Sequence, residues 1–171
     1  NYEEFKNKKM IYYLQQMSID DTAEFLKQHT DAYIVTDVKE DNMKGGNFKM
    51  LSEFAQEHPS LMNRMIPQIY STTEYAAIRD LGYKNIIYTL YRTEQSAYNV
   101  LEFAKSNDLF AVTMDNYYRV YSALPTLLVQ NGQRVYVHTE NNKEKAKNFI
   151  NSGKVYGIYS DHILSYDELN K

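Results

Sequence analysis

Six short runs rich in β-branched and aromatic residues recur along the chain: YIVTDV (33–38), RMIPQI (64–69), NIIYTL (85–90), FAVTMD (110–115), RVYVHT (134–139) and YGIYSD (156–161). This feature constrains the fold most, because amphipathic stretches of helical length separate the runs. GNFKMLSEFAQEH (46–58), TEYAAIRDLG (73–82), EQSAYNVLEFAKSN (94–107) and NKEKAKNFINSG (142–153) carry apolar residues at helical spacing, and Gly82 and Gly153 stand where two of them should end. Upstream, SIDDTAEFLKQH reads as a further helix with Ser18 as N-cap and Asp21 in its first turn. Strand and helix alternating at about 20 to 30 residues per unit predicts parallel strands joined by helical crossovers.

Two architectures satisfy that alternation, a doubly wound sheet and a (β/α)8 barrel. No Gly-rich phosphate loop follows any strand, which weighs against a nucleotide-binding doubly wound sheet, although flavodoxin-like sheets can do without one. The expected fold is therefore α/β, of (β/α)8 TIM-barrel type. A complete barrel holds about 250 residues. At 171 residues this chain is shorter by roughly two units. We expect an incomplete barrel of six to seven βα units with its first strands missing, spanning 1–171 as one domain, with MIYYL (10–14) as a possible extra strand. EDNMKGG (40–46) reads as a βα loop rather than a linker.

Composition excludes several function classes. Apolar residues make up 43% of the chain, enough for a sizeable core. The net charge of −3 with both signs interspersed gives no basic face for nucleic acid and no polybasic helix for a membrane surface. No segment approaches the roughly 20 apolar residues of a membrane span. The absence of cysteine removes disulfides, thiolate nucleophiles and thiolate metal sites together. The opening NYEEFKNKKM is neither a signal peptide nor an initiator Met, so a piece of a longer chain is expected. Tyrosine is abundant at 17 against no tryptophan. Such rings are usually core-edge residues with wet hydroxyls, the alternative being a sugar- or lipid-contacting surface.

Reading each strand to its C-terminal end yields Thr36, Asp37 and Lys39, then Gln68 and Tyr70, Thr89 and Tyr91, Thr113 and Asp115, His138, Thr139 and Asn141, and Ser160 with Asp161. Strand ends are often polar because they meet solvent. Repetition across six strands instead predicts a polar, mixed-charge mouth where barrel strands converge. Asp37 and Lys39 lie two apart and so project together. Lys39 and His138 suit an anionic group, and Asp37 with Asp115 or Asp161 suits a hard cation, which fits phosphoryl chemistry. No nucleophile elbow and no histidine pair at metal spacing is present; His29 and His58 read as ordinary helix-end residues, and His162 as a loop or a site residue.

YIVTDVK, MIPQIY, NIIYTLYR, FAVTM, VYVHTEN and VYGIYSD, in that order, resemble the later strands of bacterial glycerophosphodiester phosphodiesterases, which share a barrel with phosphatidylinositol-specific phospholipase C. HTEN followed by GIYSD is the most specific part, and TDVK is similar to a strand usually written E-x-K. The resemblance implies Asp37 as an acidic ligand of a divalent cation, calcium or magnesium, with Asp in place of Glu shortening the arm. It implies Lys39 facing the substrate phosphate and His138 lining the pocket as catalytic candidates. Gln68, Tyr70, Thr89, Tyr91 and Asn141 are the substrate-binding candidates, with Asn141 and Asp161 more suited to architectural hydrogen bonds.

The chain also departs from that family. Its two catalytic histidines, in H-R and H-D motifs, and its E-x-D metal ligands have no counterpart here. General acid–base catalysis needs a titratable group within hydrogen-bond reach of the reacting oxygens. The expectation is thus the C-terminal part of a phosphodiesterase-like protein for glycerophosphodiesters or polyol phosphates, inactive by itself. The alternative is a catalytically degenerate barrel that binds or packs. An unrelated regulatory βα domain is a third reading. Missing strands leave two parallel edges, which predicts homo-oligomerisation or pairing with an upstream domain. The resemblance leans toward a bacterial cell envelope or other extracytoplasmic setting.

Overall fold

The computed structural model describes residues 2–7, 16–38, 42–44, 46–163, 167 and 169, so the suggested strand at 10–14 lies outside the described residues. Helices α1 (Tyr2–Asn7) and α2 (Ile19–Gln28) precede strand β1 (Ile34–Thr36). Then follow α3 (Asn47–Glu57), β2 (Met65–Ile69), α4 (Tyr75–Asp80), β3 (Ile87–Thr89), α5 (Ala97–Ser106), β4 (Ala111–Asp115), α6 (Leu124–Gln130), β5 (Val135–His138), α7 (Lys143–Asn151) and β6 (Gly157–Ile158). Short 3-10 turns lie at Pro59–Arg64, Thr72–Glu74 and Arg119–Tyr121.

Local chemistry accounts for most helix limits. Ser18 caps α2: its hydroxyl accepts from Asp21 N at 3.2 Å while the Asp21 carboxylate accepts from Ser18 N at 2.7 Å. Helices α2 and α3 both end on a histidine, His29 or His58, whose backbone N–H donates to the carbonyl of the phenylalanine four residues earlier. Each ring rests on that same phenylalanine, with centroids 4.4 Å apart for Phe25–His29 and 5.1 Å for Phe54–His58. Gly153, just past α7, takes φ +69°, the left-handed conformation that closes a helix end at little cost only for glycine. Helix α6 was not signalled by periodicity, because it is seven residues long and carries Pro125 in its first turn. There the missing N–H is harmless.

The six strands form one all-parallel sheet in the order β1-β2-β3-β4-β5-β6, curled into a half-barrel. Each strand pairs with its sequence neighbour, so every crossover advances the same way; a doubly wound sheet would reverse direction in mid-sheet. This is consistent with an incomplete barrel.

Alternation splits the sheet into two faces. Met65, Ile69, Ile86, Tyr88, Leu90, Val112, Met114, Val135 and Val137 point outward into the main core with α-helical residues such as Leu26, Leu51, Phe54, Ile78 and Val100. The concave face holds a smaller apolar cluster of Ile66, Ile87 and Ala111, flanked by Val35, Phe110 and Tyr136. Polar side chains follow two residues later along the same strands. The apolar layer thus forms a floor, and the polar residues stand above it at the strands' C-terminal ends.

Candidate functional site

Above that floor lies a cavity of about 500 Å³. Its lining includes Asp37 after β1, Gln68 in β2 and Tyr70 just after it, Thr89 in β3 and Tyr91 after it, and His138 from β5, with Arg92, Thr139 and Tyr159. The six candidates Asp37, Gln68, Tyr70, Thr89, Tyr91 and His138 therefore share one space. Period two explains it, because each follows a concave-face residue by two or four positions. Lys39 lies outside the described residues.

Asn141 does something else. Its Nδ2 donates to Asp161 Oδ2 at 2.9 Å, and its Oδ1 accepts from Asp161 N at 2.8 Å and Ser160 Oγ at 3.0 Å. It fastens the loop after β5 to the loop after β6. Equivalent ties run around the mouth. Glu74, 1% exposed, accepts from Asn42 N at 3.0 Å, Asn42 Nδ2 at 2.5 Å, Tyr70 N at 2.9 Å and Ser71 N at 2.7 Å, joining the first loop to the second. The Arg92 guanidinium lies 5.0 Å from the Tyr70 ring centroid, joining second to third. Arg119 donates to Thr93 O at 2.9 Å and Gln95 O at 3.3 Å, joining third to fourth. Glu140 accepts from Asn116 Nδ2 at 3.1 Å, Lys145 Nζ at 3.0 Å and Asn142 N at 2.9 Å, joining fourth to fifth. Neighbouring loops are cross-tied in sequence, so the cavity is pre-formed.

The cavity is polar but its groups are not fully partnered. Tyr70 donates its hydroxyl to the Asp37 carboxylate. Burial and this carboxylate together hold the Tyr70 phenol protonated well above its usual range. Burial also raises Tyr159, helped by Tyr136 and Asp37. His138 Nε2 and Tyr159 Oη, both of the lining, are enclosed and have no hydrogen-bond partner. Buried polar atoms are seldom left so, and a bound ligand or water would complete them.

Burial lowers the His138 pKa below 6.5, against the opposing pull of Asp115 and Asp37. Its neutral imidazole is the form the fold favours. In that case the unfolded chain takes up the proton first as pH falls. Stability should be full above about pH 6.5 and decline as pH drops from there through the lower native value. Urea midpoints of wild type and His138→Gln between about pH 7.5 and pH 5 check this. The variant should lose part of the slope, and an identical slope refutes the assignment.

Among the described lining residues, Asp37 is the one carboxylate of the cavity. Asp115 Oδ1 accepts backbone N–H groups of Tyr117, Tyr118 and Arg119, which folds the turn after β4, and Asp161 is bound to Asn141. Among the described residues, the metal-competent cluster is elsewhere, at Asp20, Glu57 and His58. Sequence reading missed Arg92 and Tyr159. Tyr159 was within reach, two residues after Gly157 on the same face; Arg92 lies beyond its strand end, where period two no longer applies.

The fold and site define a parallel half-barrel with a pre-formed polar cavity at the C-terminal ends of its strands. Comparison with models of known protein families gives no match, and comparison with curated proteins gives none. Among the described residues, no helix is long and apolar enough to cross a membrane.

Proposed function

We propose that the half-barrel is the C-terminal part of a TIM-type barrel like that of the glycerophosphodiester phosphodiesterases, and that its cavity binds a small phosphodiester or polyol phosphate. The observation that carries the reading is the convergence of side chains from the ends of five strands on one cavity with unpartnered His138 and Tyr159 atoms. Arg92 supplies a permanent positive charge there, and Thr89, Gln68 and Tyr70 supply hydrogen-bonding groups suited to a polyol phosphate.

Calcium takes six or more oxygen ligands, commonly several of them carboxylates, and magnesium one or two carboxylates beside water and phosphate. With Asp37 as the one carboxylate among the described lining residues, the chain by itself binds without hydrolysing. The same observation favours the second reading, a degenerate barrel retained for binding. Completion of the open sheet edges by an upstream segment or a second copy belongs to this proposal.

Titration of the chain with a simple glycerophosphodiester should show saturable binding, weakened about tenfold or more by Arg92→Ala. Release of glycerol phosphate with calcium or magnesium should stay at blank level. Absence of binding overturns the site; chelator-sensitive turnover overturns the non-catalytic reading.

A further inference from the structure

Asp20 in the first turn of α2, Glu57 at the last position of α3 and His58, the cap of α3, bring two carboxylate oxygens and one imidazole nitrogen within 4.8 Å of one another. They form a group apart from the cavity, at the junction where α3 turns toward β2.

Among the described residues, no basic side chain is paired with either carboxylate of the cluster. Two carboxylates at this separation repel. Glu57 stands at the negative end of the α3 dipole, and the last turn of that helix holds no basic residue. The ion pairs of the described residues engage Asp21, Glu24, Glu53, Glu102 and Glu140 instead.

A second observation is independent of charge. His58 Nε2 is shut off from solvent and has no hydrogen-bond partner. The ring is held by its edge contact with Phe54 and by the backbone bond from His58 N to Phe54 O. An imidazole fixed in place, with one ring nitrogen close to two carboxylates and an enclosed Nε2 in want of a partner, has the donor set of a metal site.

We propose that Asp20, Glu57 and His58 bind a divalent transition cation of the zinc class and thereby staple α2 to the end of α3. One nitrogen with two carboxylate oxygens suits zinc, whereas calcium and magnesium favour all-oxygen sets. Three protein ligands leave a fourth position for water, and Asp20 and Glu57 are exposed enough to admit it.

Calorimetric titration of the 171-residue chain with zinc chloride tests this, with melting followed by circular dichroism. One zinc per chain is expected, bound at least about 100-fold tighter than calcium or magnesium, and it should raise the melting temperature. Glu57→Gln and His58→Gln should each weaken binding about tenfold or more and abolish that rise, while Asp37→Asn should change neither. Glu57 is exposed, so its variant keeps the fold. No zinc binding, or binding unaffected by Glu57→Gln, overturns the site.

Discussion

Replacing Glu74 by glutamine should destabilise the protein by about 3 kcal/mol or more, although the change is one atom for another of similar size. The Glu74 carboxylate is buried and takes four N–H donors from two loops: two from Asn42 and one each from Tyr70 and Ser71. Glutamine keeps one oxygen and turns a second donor toward N–H groups that already need acceptors. Hydrogen bonds to a charged group contribute about 1.5 to 3 kcal/mol each, and a buried donor left unmatched costs about 1 to 3. A domain this size has on the order of 5 to 15 kcal/mol in total. Asn42→Ala should cost less, because the carboxylate retains Tyr70 N, Ser71 N and the backbone N–H of residue 42. Urea midpoints rank the two; a Glu74→Gln value within about 0.5 kcal/mol of wild type removes Glu74 as the tie between the first two loops.

Adjacent residues of β3 should behave in opposite ways. Tyr88 faces the outer core, fully buried, its ring edge-on to Phe103 at 5.3 Å and its hydroxyl 3.1 Å from Thr93 Oγ1. Tyr88→Ala should cost about 3 to 5 kcal/mol, as other aromatic truncations in cores do, whereas Tyr88→Phe should cost only about 1. Thr89, equally buried, faces the cavity. Thr89→Val keeps the shape and removes one hydroxyl, so stability should hold within about 1 kcal/mol while binding of the phosphodiester probe weakens several-fold. Equal losses of stability at both positions would mean that the two faces of β3 are not core and cavity.

That contrast also marks what was legible beforehand. Strand positions and the face on which Gln68, Tyr70, Thr89, Tyr91 and His138 fall follow from a period of two, a property of neighbouring residues. Helix α2, with its Ser18–Asp21 box, is legible for the same reason. The short α6 with Pro125 is not, because seven residues barely complete two turns and give no periodicity to read.

The functional setting depends on contacts between residues far apart in the chain. Nothing local to Glu74 or Glu140 signals burial, yet each is buried at the junction of two loops. Asp20 in α2 and His58 at the end of α3 are far apart in the chain and meet only in the folded structure. By itself, the sequence determined that parallel strands would alternate with helices and that polar residues would crowd the strand ends, since backbone period and side-chain polarity are local. Only the tertiary structure decided that the strands pair in sequential order, that their ends enclose one cavity, and which two loops Asn141 ties. Those outcomes depend on which segments pack together, and no single stretch of chain records that.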